Sequence, residues 1–347
     1  MMKYKSRNLG LDLMRSIAIL LVLLTHFGFN PWDEILLGGI GVEVFFILSG
    51  FLIGRILIRS FDDFNGFETI KSFWINRWFR TIPLYFLALI IQIILSNNLD
   101  WGYLYYFVFL QNNFYGISLY PISWSLVVEE WFYLGLPLLF LVFWRVNKKL
   151  DYRLIILSLI LLILFKYFFI DLRNVPFTGV NGNPLLRFDS MLMGVGLSWI
   201  NLRKQEVFAK LSHPFYFYFG VGGVIFIQYL LFIRFGLSFI NDSSFLKTIY
   251  FPVQSMCIVM VLPFLYNSEF LNTRVARIAL IRDLISWTSI LSYSFYLFHQ
   301  NIMHLVKSFV AEDFSGVVAI FVMYPICYGI YIMYEKPMTS LREKFNR

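Results

Sequence analysis

The sequence predicts an all-α protein: a polytopic membrane helix bundle of about ten transmembrane helices plus one re-entrant or interfacial segment. Apolar residues make up 59% of the 347 residues, charged residues make up only 14%, and the mean hydropathy is +0.69. A soluble domain carries about 25% charged residues. Soluble multidomain, disordered, collagenous and disulfide-rich classes are therefore excluded.

Ten apolar runs are long enough, at about 20 residues each, to cross roughly 30 Å of hydrocarbon. They lie at about 11–29, 36–58, 81–96, 124–144, 153–170, 186–201, 214–233, 246–266, 284–305 and 315–334. A shorter apolar stretch at 102–113 is flanked by asparagines, and we expect it to enter the membrane without crossing it. The longest polar loops are expected at about 59–76, 171–184 and 267–283.

The distribution of basic residues predicts the orientation. With the N-terminus inside and 102–113 not crossing, roughly 22 Lys and Arg fall on the inner side and roughly 6 on the outer side. Cytoplasmic loops carry this excess in membrane proteins. We therefore expect cytoplasmic tails at 1–10 and 336–347, and one membrane domain over 1–347. The same rule explains the net charge of +8, so we expect membrane lipids as partners and no nucleic acid.

The two cysteines, Cys257 and Cys327, lie in separate apolar runs, and no spacing typical of a metal site occurs. We expect neither a structural disulfide nor a bound metal. The first apolar run follows basic residues, as in a signal peptide, but it contains charged residues and lacks a small-x-small cleavage site. We expect it to be retained as the first helix.

The first predicted helix carries Asp12, Arg15 and His26. Arg15 and His26 are eleven residues apart, so they lie within roughly 20° of one helix face and about 16 Å apart along the axis. Ionisable groups inside a membrane are costly and usually face a cavity. A single membrane histidine is more often a packed residue than a catalyst, but the neighbouring charges on the same face favour a functional site.

The second predicted helix holds Glu43 at a depth expected to be similar to that of His26. Consecutive helices pack antiparallel, so this carboxylate is able to orient the His26 ring and stabilise its protonated form. The alternative is an ion pair between Glu43 and a Lys or Arg of another helix. Ser49, Gly50 and Gly54 follow at the spacing of helix packing, which is their expected role.

Two charged pairs lie near predicted helix starts. Arg77 and Arg80 share one face where the third helix is expected to begin on the inner side, just before Pro83. Guanidinium groups and a helix N-terminus suit a pyrophosphate, although positive-inside anchoring explains most such pairs. Glu129 and Glu130 lie a few residues into a helix expected to start outside, where two carboxylates need partners or a wet cavity.

Further polar residues lie in or beside the later apolar runs, and for each a structural ion pair or hydrogen bond is at least as well supported as chemistry. They are Arg187 and Asp189 near the expected outer face, Tyr293, Tyr296, His299 and His304 late in the chain, and Glu335 and Pro337 at the expected inner surface.

Seven sequence blocks, in order from Leu11 to Pro337, resemble those of the acyltransferase 3 family of integral membrane acyltransferases. No one block is specific, and it is their common order that identifies the family. The blocks are R-x10-H (Arg15, His26), GV-acid-x-FF-x-x-SGF-x-I (Gly41 to Ile53, with Glu43 as the acid), R-x-x-R-x-x-P-x-Y (Arg77, Arg80, Pro83, Tyr85), WSL-x-x-E-x-x-FY (Trp124 to Tyr133, with Glu129), R-x-D (Arg187, Asp189), SY-x-x-YL-x-H (Ser292 to His299) and E-x-P (Glu335, Pro337).

Two positions depart from the family pattern. Asn76 stands where a basic residue often precedes the R-x-x-R pair. Gln300 and Asn301 follow His299, where a proline usually comes soon after. Neither change touches the inferred chemistry, although the second affects the side expected to meet the acceptor.

The resemblance implies transfer of an acyl group, commonly acetyl, from cytoplasmic acyl-coenzyme A to a hydroxyl of a glycan. The implied acceptor is a cell-surface or lipid-linked glycan, such as a polysaccharide or a lipopolysaccharide O-antigen, at a bacterial cytoplasmic membrane. His26 is then expected to act as general base or to accept the acyl group briefly. Glu43 or Glu129 is expected to orient its ring. No permanently bound cofactor is expected, because the coenzyme is a co-substrate.

The resemblance also implies how the donor is held. Arg15, Arg77 and Arg80 are expected to bind the phosphates of acetyl-coenzyme A at the inner mouth of the bundle, while the pantetheine arm threads between helices to His26. Substrate or structural support is expected from Asp12, Ser49, Tyr85, Tyr133, Arg187, Asp189, Tyr293, His299 and Glu335.

Two other hypotheses stay open at this point. A transporter of acyl donors or lipid-linked sugars would use the intramembrane charges as substrate or proton sites, and two inverted halves with matching broken helices would support it; the sequence shows none. A membrane-bound sensor or interaction protein would tolerate changes at Arg15 and His26. The acceptor, the acylated hydroxyl, the acyl chain and the oligomeric state also stay open.

Overall fold

A computed structural model describes residues 7–27, 35–114, 116, 118–148 and 150–345, and these form helices joined by short turns, with no β-strand among them. The α-helices are α1 (Leu9–His26), α2 (Ile35–Asp62), α3 (Gly66–Ser96), α4 (Leu104–Phe107), α5 (Gln111–Phe114), α6 (Trp124–Asn147), α7 (Tyr152–Arg173), α8 (Phe177–Gly182), α9 (Phe188–Arg203), α10 (Gln205–Leu211), α11 (Pro214–Gln228), α12 (Gly236–Asn241), α13 (Ser244–Asn267), α14 (Ala279–Lys307), α15 (Glu312–Ile330) and α16 (Lys336–Phe345). Short 3-10 turns lie at Trp101–Tyr103, Pro121–Ser123 and Pro184–Leu186, and π-helical segments at Tyr229–Phe235, Phe270–Val275 and Tyr331–Glu335. The all-α prediction is confirmed.

Eight helices of the described chain are long and apolar enough to cross a membrane. They cover Leu9–His26, Leu37–Asp62, Gly66–Ser96, Pro121–Val146, Tyr152–Arg173, Pro214–Leu231, Ser244–Asn267 and Glu312–Glu343. The other two predicted crossings are present as the helices α9 and α14, but α9 has only 16 residues and α14 is less apolar. The chain is an integral membrane helix bundle, and the count of about ten crossings and the cytoplasmic termini stay predictions.

Several predicted loops and tails are helical instead. The loop predicted at 59–76 is nearly absent, because α2 continues to Asp62 and α3 already begins at Gly66. Gly66 has φ +60°, a left-handed conformation that glycine adopts without strain, and so the chain turns within a few residues. The C-terminal tail predicted from 336 is the helix α16. Of the predicted N-terminal tail, 1–6 lies outside the described residues, and α1 starts inside the remainder with Asn8 as its cap.

Two other predicted loops also contain helical pieces. The loop predicted at 171–184 contains the end of α7 and the short helix α8. The loop predicted at 267–283 contains the π-helical segment Phe270–Val275 and the first residues of α14. Hydropathy alone missed these pieces because short helices with polar residues look like loops in an average over many residues.

The early start of α3 moves Arg77 away from a helix entry. Gly66 precedes Arg77 by eleven residues, so the arginine lies about 16 Å along the helix axis. Pro83 likewise lies inside α3 rather than in its first turn. The arginine block therefore belongs to the middle of a long helix.

The segment predicted at 102–113 is broken into the 3-10 turn Trp101–Tyr103 and the four-residue helices α4 and α5, so it does not cross a membrane as one helix. The Tyr85 hydroxyl donates to the carbonyl of Tyr106 at 3.0 Å, and Gln111 Nε2 donates to the Tyr85 hydroxyl at 3.4 Å. Tyr85 lies eleven residues before the end of α3, so the broken segment packs about 16 Å from that end. This arrangement supports a re-entrant segment, in which the Tyr106 carbonyl is bound by a side chain of α3.

The chain divides into two compact units, each with its own internal contacts. The first comprises the described residues of Met1–Arg55, Leu159–Phe177 and Asp189–Ser292, and the second comprises those of Ile56–Ser158, Thr178–Phe188 and Tyr293–Arg347. The core of the first unit includes Ile47, Phe51 and Leu262. In the second unit Phe61 packs edge-on against Phe140, with ring centroids 5.7 Å apart.

Glycines set the close contact between α2 and α9 in the first unit. A Cβ at Gly50 would overlap the carbonyl oxygen of Met191, and a Cβ at Gly194 would overlap that of Ile47. Gly54, one turn further along α2, makes a similar close contact with α9. The packing role expected for Gly50 and Gly54 is confirmed, since small residues let helix backbones approach closely in membranes.

Gly50→Ala should destabilise the protein, because its methyl group has no room unless the α9 backbone moves. Overpacking of this kind costs about 1–3 kcal/mol. We expect a lower midpoint of thermal unfolding for the purified protein in detergent. Gly39→Ala in the same helix is the matched control, since a Cβ there would meet no described atom within 4 Å. Equal midpoints for the two variants would contradict the close α2–α9 contact.

Candidate active site

The backbone of α1 fixes one nitrogen of His26. This half-buried residue ends α1, and its Nδ1 lies 2.9 Å from the carbonyl oxygen of Val22, one turn earlier. A carbonyl oxygen only accepts hydrogen bonds, so Nδ1 carries the hydrogen. In the neutral ring Nε2 then holds the lone pair. The helix itself therefore selects the tautomer in which Nε2 is the basic nitrogen.

Asp12 is held by the chain immediately before α1 and by α14. Arg7 donates to both carboxylate oxygens, from Nε at 2.9 Å and from Nη2 at 2.7 Å, and the Ser289 hydroxyl donates at 2.7 Å. A bidentate arginine pair of this kind has a fixed geometry. Asp12 is buried, while Arg15 and His26 are both half-buried. Asp12 therefore fixes the start of the helix that presents Arg15 and His26.

Glu43 lies nearly two turns from His26 along the α1–α2 pair, rather than at the same depth. A Cβ at Gly38 would contact the side chain of Thr25, with Oγ1 3.2 Å away, which sets the antiparallel register. In this register Glu43 is level with Leu20, six residues and about 9 Å from the level of His26. The difference arises because His26 ends its helix whereas Glu43 lies well inside the next one.

A buried polar network surrounds Glu43 and joins four helices of the first unit. The Glu43 carboxylate, 1% exposed, accepts hydrogen bonds from the hydroxyls of Ser190 on α9 and Ser255 on α13. The neighbouring Asp189 forms an ion pair at 2.9 Å with Lys166 of α7, and both side chains are 2% exposed. Such charges are stable inside a bundle only when they are paired.

Sequence reasoning missed Lys166, Ser190 and Ser255 as members of this network. Lys166 did carry a signal, because it is the one charged residue in the apolar run 153–170 after the initial Arg153. The two serines carried none, since serine is an ordinary residue of membrane helices. Arg187 belongs to the second unit, where its Nη1 donates to Asn181 Oδ1 at 2.6 Å.

In the second unit the arginine block and the WSL block meet at one ion pair. Arg77 Nη2 lies 3.5 Å from Glu129 Oε2 and donates to the Tyr133 hydroxyl at 2.5 Å, while the Tyr133 hydroxyl donates to Glu129 Oε2 at 2.8 Å. The guanidinium also stacks over the Tyr133 ring, 4.0 Å from its centroid. Arg77 and Glu129 are 15% and 16% exposed. Residues expected on opposite sides of the membrane are thus neighbours, because α3 begins well before Arg77.

Arg80 has different surroundings from Arg77 although it lies one turn away. Its side chain is exposed, and it interacts electrostatically with Glu335 at the end of the segment Tyr331–Glu335. Glu335 Oε2 also accepts a hydrogen bond from the Ser294 hydroxyl at 3.0 Å. Of the two arginines, Arg80 is the one whose guanidinium lies at the surface of its unit.

The late SY-x-x-YL-x-H block ties α14 to the rest of the second unit. The Tyr293 hydroxyl donates to the carbonyl of Thr81 at 2.9 Å, and the Tyr296 hydroxyl shares a hydrogen bond of 2.5 Å with Ser125. His299 is fully buried, and its Nδ1 donates to the carbonyl of Tyr296 at 2.8 Å. These contacts give the block a positioning role.

Ser49 is half-buried on α2, beside the Gly50 contact. In the part of the chain that the structure describes, no three His, Cys, Asp or Glu residues lie close enough together to hold a metal ion.

Known proteins resemble this chain over most of its length. The sequence model of the acyltransferase 3 family, described as an acyltransferase domain, matches residues 8–332. A putative O-acetyltransferase of Staphylococcus aureus is 26% identical over 338 residues, which cover 89% of this chain and 53% of the relative. The peptidoglycan O-acetyltransferase OatA of Listeria monocytogenes is 32% identical over 170 residues, which cover 42% of this chain and 26% of the relative.

The chain spans about half the length of the Staphylococcus relative that it matches. No solved structure matches it. Because the family model covers nearly the whole chain, and the blocks around His26, Glu129 and His299 all lie within the match, the chain belongs to the acyltransferase 3 family and carries its acyltransferase domain.

Proposed function

We propose that this protein is a membrane O-acyltransferase that moves an acetyl group from acetyl-coenzyme A to a hydroxyl of a cell-surface or lipid-linked glycan. The family and the names of its O-acetyltransferase relatives support the reaction class. Two relatives are named for peptidoglycan, which makes peptidoglycan the first acceptor to test. A bacterial cytoplasmic membrane is the proposed location.

The observation that carries the proposal is the hydrogen bond from His26 Nδ1 to the Val22 carbonyl, at 2.9 Å. It leaves Nε2 as the basic nitrogen of a residue that is half-buried at the end of α1. An alcohol oxygen is a weak nucleophile at neutral pH and needs a base to remove its proton as it attacks. His26 Nε2 is the proposed base.

The proposed reaction balances without any further reagent. The sugar oxygen attacks the thioester carbonyl while Nε2 takes the hydroxyl proton. The carbon–oxygen bond forms, the carbon–sulfur bond breaks, and the proton passes to the sulfur of coenzyme A. In the alternative route Nε2 attacks the thioester, the carbon–sulfur bond breaks, and an acyl-histidine forms with a coenzyme A thiolate. The sugar oxygen then attacks this acyl group, the carbon–nitrogen bond breaks, and the hydroxyl proton passes to the thiolate. Either Glu43 or Glu129 is the carboxylate proposed to orient the ring and stabilise its protonated form.

The arginines are the proposed binding groups for the anionic donor. Arg15 and Arg80 would pair with its phosphates, because guanidinium forks match phosphate oxygens. Arg77 would also bind the donor. Because its guanidinium contacts Glu129 and Tyr133, we propose that it binds the pantetheine arm further along the donor.

His26→Ala should abolish acetyl transfer, because general-base catalysis contributes about 10²–10⁴-fold to such reactions. The measurement is release of free coenzyme A by the purified protein with acetyl-coenzyme A and soluble peptidoglycan fragments. His304→Ala, which removes an exposed histidine, should keep the wild-type rate. A His26→Ala protein that inserts, folds and still transfers acetyl would contradict the assignment of His26 as the base.

Arg80→Ala should raise the KM for acetyl-coenzyme A about tenfold, because one charge-assisted contact to phosphate is lost. The KM for S-acetyl-pantetheine, which has no coenzyme phosphates, should stay unchanged. Arg153→Ala removes another exposed arginine and is the control. If Arg80→Ala raises both KM values equally, Arg80 does not bind the phosphates.

A further inference from the structure

Several buried polar atoms of the second unit have no hydrogen-bond partner among the described residues. Nε of Arg77 on α3 and Oε2 of Glu130 on α6 are among them. Glu130 is 8% exposed, and its other oxygen accepts a hydrogen bond from the Thr81 hydroxyl at 2.9 Å. Native proteins leave few buried polar atoms unpaired, because each of them has lost its water without replacement.

The two unpaired atoms belong to one cluster. The Thr81 hydroxyl reaches both the Glu130 carboxylate and, at 3.3 Å, the backbone carbonyl of Arg77. Glu130 also interacts electrostatically with Arg77. Tyr293 of α14 also contacts the cluster, because its hydroxyl donates to the Thr81 carbonyl at 2.9 Å. The cluster therefore offers one unused donor and one unused acceptor on two helices in contact.

The neighbouring carboxylates Glu129 and Glu130 differ in their partners. Glu129 Oε2 is bound by the Tyr133 hydroxyl and by Nη2 of Arg77. Glu130 has one hydrogen bond to one oxygen and no role in the family resemblance, which matches Glu129. A ligand that accepts a hydrogen bond from Arg77 Nε and donates one to Glu130 Oε2 would satisfy both unpaired atoms.

We propose that Arg77 Nε and Glu130 Oε2 bind one secondary amide of the pantetheine arm of the acyl donor. Arg77 donates to the amide carbonyl, and Glu130 accepts from the amide N–H. This subsite rests on the proposed function, since it requires an acyl-coenzyme A donor.

The chemistry of the donor favours an amide over a phosphate or the thioester. A phosphate or a thioester offers acceptors but no N–H for Glu130, and a phosphate adds a negative charge beside a carboxyl group. A trans secondary amide carries its N–H and its carbonyl on opposite edges, as two contacting helices require. An amide that leaves water for a helix bundle must also regain both hydrogen bonds. The Arg77–Glu130 pair would supply them.

The test compares acetyl-coenzyme A with two analogues in which oxygen replaces the N–H of one or the other pantetheine amide. Each analogue keeps the carbonyl and lacks the donor, so it probes the Glu130 contact alone. With wild-type protein and peptidoglycan fragments, one analogue should have a kcat/KM roughly tenfold below that of acetyl-coenzyme A. In Glu130→Leu this preference should disappear, because the accepting oxygen is gone.

Thr81→Val is the matched control, because it removes the hydrogen bond to the other Glu130 oxygen. The preference for acetyl-coenzyme A should persist in it. If Glu130→Leu fails to fold, Thr81→Val/Glu130→Leu replaces it, since this double variant leaves no threonine hydroxyl facing an apolar side chain.

Three results would overturn the subsite. Wild-type protein that uses both analogues as well as acetyl-coenzyme A would indicate that a structural water fills the site. A preference that persists in Glu130→Leu would assign the amide to another residue. Both results would leave the proposed function standing. Wild-type protein that never turns over acetyl-coenzyme A would overturn the proposed function and the subsite together.

Discussion

Polar side chains inside an apolar helix bundle have to find their partners within the protein, and this constraint governs the structure. In the first unit, Lys166 and Asp189 form a buried ion pair, and Glu43 is held by two serine hydroxyls from neighbouring helices. Removing one member of such a pair leaves an uncompensated charge, so these contacts also fix how the helices stand against one another. Glycine contacts such as that of Gly50 bring the helices close enough for the short side chains to meet.

The same constraint gives the family blocks a physical meaning. In the second unit, Arg77 from one block and Glu129 and Tyr133 from another form a single ion-pair cluster between α3 and α6. Glu335 of the terminal block is bound by Ser294 of the late block. Blocks that are far apart in the sequence are therefore partners within a unit.

Much of this architecture could be predicted from sequence, because hydropathy and helix length report directly on burial in a membrane. The all-α class and helices at the ten expected places followed from it, and the distribution of basic residues indicated that 102–113 does not cross the membrane. The surroundings of Arg77 did not follow, because the amphipathic start of α3 over 66–80 looks like a polar loop in a hydropathy average. The position of Glu43 relative to His26 depends on a helix register set by Gly38 and Thr25, which no single-chain pattern reveals.

For the candidate site, the sequence singled out His26 and the charged blocks, but it could not show what each atom contacts. Packing at the scale of single hydrogen bonds decides these contacts. It sets the bond of His26 Nδ1 to a backbone carbonyl, and it gives Glu129 and Glu130 different partners. These contacts turn the residues of the family blocks into a proposed reaction with named atoms. The most direct measurement follows an isotope-labelled acetyl group from acetyl-coenzyme A, in the presence of wild-type protein and a glycan, with analysis of the glycan by mass spectrometry. The label is expected in an ester on a sugar hydroxyl; label that stays on coenzyme A, or crosses a vesicle membrane without forming an ester, would contradict acyl transfer.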